Sequence, residues 1–409
     1  MPSLPASVMS GFDRMWAALG PIGRSPATGG YRRFAWTRED AALREWFAGE
    51  AAARGLDLVT DRAGNQWAWW GDPDAALAAG DPGVAAGSHL DSVPDGGAFD
   101  GALGVVSAFL AVDTLREVGF DPHRPIGVVN FVDEEGARFG VPCVGSRIIT
   151  GGLEPGRARS LSDAGGVTLA EAMAEAGTDP TLLGRDPETL ARVGTFLELH
   201  VEQGKGLVER GRQVAVASSI WPHGRWRLDL RGVANHAGTT RLRDRFDPML
   251  DLAAVIVAAR HAAATRQSVA TVGKLSVEPN GVNAIPSLVQ AWLDVRGPEE
   301  EEVQGIATEV GAAGRTRAVE ESFTPGTEFD PDLRDRLAAT LDDAPVLPTG
   351  AGHDAGILAS SGIRTAMLFV RNPTGVSHSP AETASREDCL AGVEALTTAI
   401  TIVAGRTQE

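Results

Sequence analysis

Between Gly87 and Gly101 the sequence reads GSHLDSVPDGGAFDG, gathering His89, Asp91, Asp95 and Asp100 within a glycine framework. A surface loop is polar, but it has no need of a histidine and three carboxylates at turn positions. Imidazole and carboxylate together suit a borderline divalent cation such as zinc or manganese. Three later segments repeat the theme: FVDEEGARFG at 131–140, ELHVEQG at 198–204 and GVSHSPAE at 375–382. Of the eight histidines, His89, His200 and His378 lie in these acidic, turn-rich clusters. A two-metal hydrolase needs roughly five protein ligands, one of them a bridging carboxylate. It also needs one carboxylate outside the ligand set to take a proton from water. The pair Glu134–Glu135 can supply both a ligand and a base, because neighbouring strand side chains point to opposite faces. The four clusters together point to a two-metal hydrolase. Residue types alone leave open which aspartate bridges and which glutamate is the base.

The elements that must position these groups are legible from periodicity. Residues 38–54 and 102–118 read as helices, while VAAGSHLDS and PIGVVNFVDEE each end a short apolar strand. This alternation predicts an α/β domain with a mixed, largely parallel sheet and flanking helices. In such sheets ligands collect outside the carboxyl ends of the strands, which is where GVVNFVDEE and VGTFLELHVEQ place their acids and histidine. After about Gly211 the pattern changes. RWRLDLRG, ATVGKLSVE and LVQAWLDVRG alternate like half-buried strands, and 247–265 and 299–313 read as helices, predicting a smaller α+β insert. The α/β character returns with a helix at 331–341, a strand at 364–370 and a helix at 386–404. The expected organisation is a catalytic domain at 1–212 and 329–409, interrupted by an inserted domain at 213–328.

Composition narrows the class. The 409 residues are 43% hydrophobic and 22% charged, with a net charge of −17. Such a balance argues against a general nucleic-acid or anionic-membrane binder, since neutralising phosphate needs clustered Lys and Arg. It leaves room for a small anionic substrate met by a local arginine. Cys143 and Cys389 are far apart and outside any CxxC spacing, so they read as buried small side chains rather than a disulfide or ligands. The segment MPSLPASVMSGFDRMW lacks a basic region followed by an apolar core, and no stretch approaches the roughly 18 apolar residues of a membrane span. The expectation is a soluble cytoplasmic protein.

Seven segments in order, GSHLDSVPDGGAFDG, DEEGARFG, ELHVEQG, NHAGTT, PNGVNAIP, GAGHDA and GVSHSPAE, resemble the amidase/hydantoinase-carbamoylase branch of the M20 metallopeptidase family. That branch contains N-carbamoyl-L-amino acid hydrolases, allantoate amidohydrolases and metal-dependent β-ureidopropionases. The likeness runs from about residue 10 to 400.

The resemblance implies a division of labour. His89, Asp100 and His200 would hold one divalent ion, and Asp100, Glu135 and His378 a second, with Asp100 bridging. Zinc or manganese would occupy the pair, with cobalt or nickel as alternatives. Glu134 would be the general base, and Asp91 would orient His89 through its second ring nitrogen. The inserted domain would act as lid and homodimer interface. From it His236 would stabilise the oxyanion, often in the partner subunit's site. Asn283 would bind substrate, and Arg296 would clamp a substrate carboxylate. Gln203, Gly352 and His353 would line the pocket. The implied activity is hydrolysis of a linear carbamoyl or ureido C–N bond in a small carboxylate-bearing compound, allantoate or an N-carbamoyl-L-amino acid. Aminoacylase, N-formyl-amino-acid deformylase or dipeptidase activity at the same metals is the alternative, and His200, where peptidase relatives carry an acid, favours the first. Arg241–Leu242 and Arg371–Asn372 depart from the family pattern without touching a ligand, and either could alter substrate choice. The wider superfamily also leads us to expect a cis Asp100–Gly101 peptide. His123, His223 and His261 fall outside every motif and read as structural or surface residues.

Overall fold

The computed structural model describes residues 4–405; residues 1–3 and 406–409, at the outer ends of the expected catalytic segments, lie outside the described residues. The described residues divide into two compact units, one within 1–218, 328–347 and 352–409, the other 219–327 and 348–351.

The larger unit is built on a nine-stranded sheet. Its centre is four parallel neighbours: Ile126–Phe131, Gly83–His89, Val193–Val201 and Arg364–Val370. These strands are buried along almost their whole length, as parallel strands covered on both faces must be. Antiparallel strands extend the sheet on either side, Gln66–Trp70 beyond Ile126–Phe131 and Val214–Ile220 beyond Arg364–Val370. That last pairing carries the first unit to Ser218, past the expected break at 212. Helix Ala102–Glu117 lies against the sheet and is apolar nearly all round, which suits a helix enclosed in the core. Helix Arg386–Ala404 joins it there, burying Leu396, Ala399 and Ile400.

The register levels the ends of the central strands: His89 lies beside Phe131, and His200 beside Phe369. Each acid/His cluster therefore follows the carboxyl end of one of four adjacent parallel strands. The sheet order, not the chain order, makes them neighbours.

The smaller unit is an antiparallel four-stranded sheet in the order Val319–Thr324, His223–Arg231, Leu288–Arg296, Val269–Glu278. Strict alternation buries Leu228, Leu230, Val289, Ala291, Leu293 and Val295 against helices Pro248–Ala264 and Glu300–Ala313. Segment 348–351 belongs with this unit, since Trp221 N–H donates to the Thr349 carbonyl (2.8 Å) and Arg296 to that of Gly350 (2.8 Å). Among the described residues no helix is long and apolar enough to cross a membrane. The cis peptide among them is Glu278–Pro279. The expected cis bond at Asp100–Gly101 is therefore corrected: Gly101 turns the chain with φ 64° instead.

One buried polar knot links the sheet edge to the loop bearing the paired glutamates. The Asp61 carboxylate accepts hydrogen bonds from Trp67 Nε1 (2.9 Å), Asn65 Nδ2 (2.8 Å) and the amides of Ala63 and Asn65 (both 3.0 Å). Asn65 Oδ1 in turn accepts from the Val132 amide (2.9 Å), immediately before the acidic run. Removing the carboxylate strands several buried donors at once. Asp61→Ala is expected to lower unfolding free energy by about 2–4 kcal/mol. Urea titration checks this, and a loss well under about 1 kcal/mol would show that the donors find other acceptors.

Candidate metal and active site

Two groups of side chains converge above the parallel strands. His89, Asp100 and His200 bring ligand atoms within 4.8 Å of one another, and so do Asp100, Glu135 and His378. Asp100 belongs to both. Its Oδ1 lies 3.0 Å from His200 Nε2 and 3.4 Å from His89 Nε2, while its Oδ2 lies 3.6 Å from His378 Nε2. His378 Nε2 is in turn 3.5 Å from Glu135 Oε2. The two oxygens of one carboxylate thus address two separate sets of partners.

The imidazoles are held with Nε2 toward the cluster. His89 Nδ1 faces the Asp91 carbonyl at 3.2 Å and His200 Nδ1 the Val201 carbonyl at 2.9 Å, so Nδ1 carries a hydrogen and Nε2, once deprotonated, presents its lone pair. The Gly101 amide donates to His200 Nε2 (3.2 Å), in keeping with that tautomer. His89 Nε2 is buried and without a hydrogen-bond partner. Lone pairs and carboxylate oxygens turned toward one another are a donor set that suits divalent cations, so the residues present fit the family's metals.

The electrostatics reflect the crowding. Burial opposes ionisation of Asp100, yet the His200 and His89 imidazoles hold its carboxyl well below the usual range. Burial pushes Glu134 well up, with Asp354, Glu135 and Asp91 adding to it against His89. Burial and Asp100 push Glu135 to about 8. Despite its burial, His200 rises to about 9 beside Asp100.

Glu134 stands beside both groups without joining either, its Oε2 3.6 Å from His89 Nε2. Asp91 does more than face His89. Its carboxylate is 3.4 Å from His89 Nδ1 and accepts the amides of Glu134 and Glu135, each at 3.1 Å. One aspartate therefore ties the first histidine to the loop of paired glutamates. Gln203, expected to line a pocket, donates from Nε2 to Asp100 Oδ2 (3.0 Å). His353 packs its ring 4.6 Å from that of His200, with both nitrogens buried and unpartnered. Burial and His200 hold it well below the usual range, hence neutral. Gly352 precedes it at the same turn.

Some contributors were not picked out from sequence. Glu198, two residues before His200 and on the same strand face, accepts from Ser88 Oγ (2.7 Å) and the Ala355 amide (3.0 Å). Glu382 accepts amides of the Asp100 loop. Cys143 is buried as expected, but its thiol lies 3.5 Å from Glu134 Oε1. The first two stand inside motifs already noted, ELH and GVSHSPAE, where an acid could have been read as an anchor for backbone amides.

In the smaller unit, His236 and Asn283 come together on a two-stranded ribbon, where His236 pairs with Ala284 and the Ala237 amide donates to the Asn283 carbonyl (2.9 Å). His236 is exposed, and its Nδ1 accepts from the Gly238 amide (3.0 Å), leaving Nε2 to carry the hydrogen. Arg296 stands apart from that ribbon, at the end of a strand of the larger sheet of this unit. Its guanidinium contacts Asp294 (2.9 and 3.3 Å) and the Gly350 carbonyl. Arg371 pairs with Asp388 (2.8 and 3.2 Å) at the C-terminal helix.

Residues 85–402 match the model of peptidase family M20/M25/M40. The chain is 37% identical over 407 residues to an N-carbamoyl-L-amino acid amidohydrolase of Geobacillus stearothermophilus, covering 94% of this chain and 96% of that protein. It is 32% identical over 390 residues to the allantoate amidohydrolase of Bacillus subtilis, covering 91% and 92%. The chain belongs to the M20 family. Its fold matches the crystal structure of a hydantoinase/carbamoylase family amidase from Burkholderia ambifaria with TM-score 0.83 at 28% identity, covering 100% of this chain and 99% of that one. This M20 protein is a hydrolase of the hydantoinase/carbamoylase amidase branch, in a family that depends on metal.

The turn after Asp100 tolerates no side chain. A Cβ at Gly101 would sit 2.4–2.5 Å from the His89 ring, on a backbone with φ 64° that L-residues resist. Gly101→Ala is expected to cost about 2–4 kcal/mol of stability. Parental stability in a denaturant titration would show instead that the His89 ring gives way freely.

Proposed function

We propose that this M20 hydrolase cleaves a linear carbamoyl or ureido C–N bond in a small carboxylate-bearing substrate, an N-carbamoyl-L-amino acid or allantoate, at a dinuclear metal site. The observation that carries the reading is the division of Asp100, one oxygen toward His89 and His200 and the other toward His378, with Glu134 adjacent and in neither group. His89, Asp100 and His200 would hold one ion and Asp100, Glu135 and His378 the other, zinc or manganese foremost. When bound, the ions supply Lewis acidity and make water acidic enough to be deprotonated near neutral pH. Glu134 takes the proton from the attacking water and returns it to the leaving nitrogen. The C–N bond breaks to an amine and a carbamate, and the carbamate falls to carbon dioxide and ammonia. His236, with its hydrogen on Nε2, would donate to the developing oxyanion. Arg296, Asn283, Gln203, Gly352 and His353 would bind the substrate, Arg296 through its carboxylate.

The preference for a carbamoyl over a peptide or acyl substrate is supported by the named relatives. A panel of N-carbamoyl-L-amino acids, allantoate, N-formyl amino acids and dipeptides, offered to protein loaded with zinc or manganese, tests it. Turnover confined to the dipeptides or formyl compounds would overturn the ureido assignment. Glu134→Gln is expected to keep two zinc ions per chain while turnover falls on the order of 10²–10⁴. Loss of an ion from that variant would exchange the roles of base and ligand.

We further propose a homodimer formed through the smaller unit. Helix Pro248–Ala264 exposes Leu250, Ile256 and Val257, and the edge strand Val269–Glu278 exposes Val269 and Leu275. An unpaired edge beside exposed apolar side chains favours pairing with a second copy. His236 would then serve the partner subunit's site. Mixing inactive Glu134→Gln and His236→Ala subunits is expected to recover activity, because a hybrid site then holds both intact residues. A verified heterodimer without activity would confine His236 to its own subunit or remove it from catalysis.

A further inference from the structure

We propose that Glu382 and Ser377 are a positioning pair that sets the aim of the Asp100 carboxylate and couples it to His378. The inference rests on the two-ion reading above. Glu382 is buried and belongs to neither ligand group. Its Oε1 accepts two consecutive amides, those of Phe99 (2.8 Å) and Asp100 (3.0 Å). Its Oε2 lies 3.1 Å from Ser377 Oγ, and the same hydroxyl lies 3.2 Å from Asp100 Oδ2. Ser377 immediately precedes His378. One carboxylate that need not touch a metal thus fixes the backbone of one ligand and the approach of another.

The hydroxyl sharpens the argument. Ser377 has one hydrogen to donate and faces two carboxylates, while Gln203 Nε2 reaches its oxygen at 3.2 Å and Asp100 Oδ2 at 3.0 Å. When Glu382 takes the serine hydrogen, Asp100 Oδ2 keeps a lone pair free for a ligand. When Glu382 is absent, the hydrogen turns to Asp100 and competes for that lone pair. Room for the device is made by Gly97, where a Cβ would stand 2.2 Å from Glu382 Oε1. A glycine there admits the carboxylate to the loop it holds.

Outer groups that orient metal ligands typically change metal affinity 10–100-fold when removed. Glu382→Ala is therefore expected to weaken the weaker of two zinc-binding events about 10–100-fold, read by chelator competition on metal-stripped protein. Glu382→Gln keeps the packing and an oxygen for the two amides but turns an NH2 toward Ser377, sending the serine hydrogen to Asp100; it is expected to recover only part of that affinity, where mere packing would recover all of it. Ser377→Ala, a small change expected to fold, should weaken the same event about tenfold with the Glu382 anchor intact. If Glu382→Ala does not fold, Ser377→Ala decides. Wild-type zinc affinity in folded Glu382→Ala, or in Ser377→Ala, would overturn the pair while leaving the two-ion site standing. A parent protein that binds no zinc would overturn both.

Discussion

Asp100, Glu134 and Glu135 are carboxylates within reach of one another in a largely dry place, and the rest of the larger unit is arranged to keep them there. Mutual repulsion and lost hydration both work to push such groups apart or to protonate them. The site offers imidazole lone pairs rather than lysine or arginine as immediate company, so the demand for positive charge is left to cations. Four parallel strands ending level are what hold the groups in place. Each is paired along the sheet, so the loops beyond them start from fixed points.

Around that core the same device recurs. A buried carboxylate receives backbone amides from a neighbouring loop: Asp91 from Glu134 and Glu135, Glu198 from Ala355, Glu202 from Gly206 and Leu207, Glu382 from Phe99 and Asp100. Charge-assisted bonds of this kind are stronger than neutral ones and leave little freedom of direction. Loops that would otherwise be the mobile part of an α/β protein become rigid where the chemistry needs them. The anchors also add negative charge, so they raise the demand for cations further.

Much of this was legible before any coordinates. The helices at 38–53, 102–117 and 386–404 follow from their apolar patterns, and the strand at 364–370 from its apolar run. The two converging ligand groups were readable because residue type, motif order and strand ends agreed. Strand Val214–Ile220 was not assigned to the large sheet, since its partner lies in a segment far along the chain. The anchoring roles of Glu198 and Glu382 were hidden for a related reason: their partners are backbone amides, which carry no signature in residue type. Arg296 shows a third limit. Its position at a strand end was clear, but its contact with Asp294 depends on side-chain direction two residues away.

The sheet order has a consequence for how the protein is made. Strand Arg364–Val370 sits between Val193–Val201 and Val214–Ile220, so the strand carrying His200 keeps one bare edge while the intervening segment is synthesised. At ~5–20 residues per second that interval is on the order of ten seconds or more. An apolar strand with unpaired amides and carbonyls is an invitation to foreign pairing during such a wait. The nascent chain therefore carries a seam that stays open until residues 364–370 arrive, and the group that includes His378 is completed only after that strand is made.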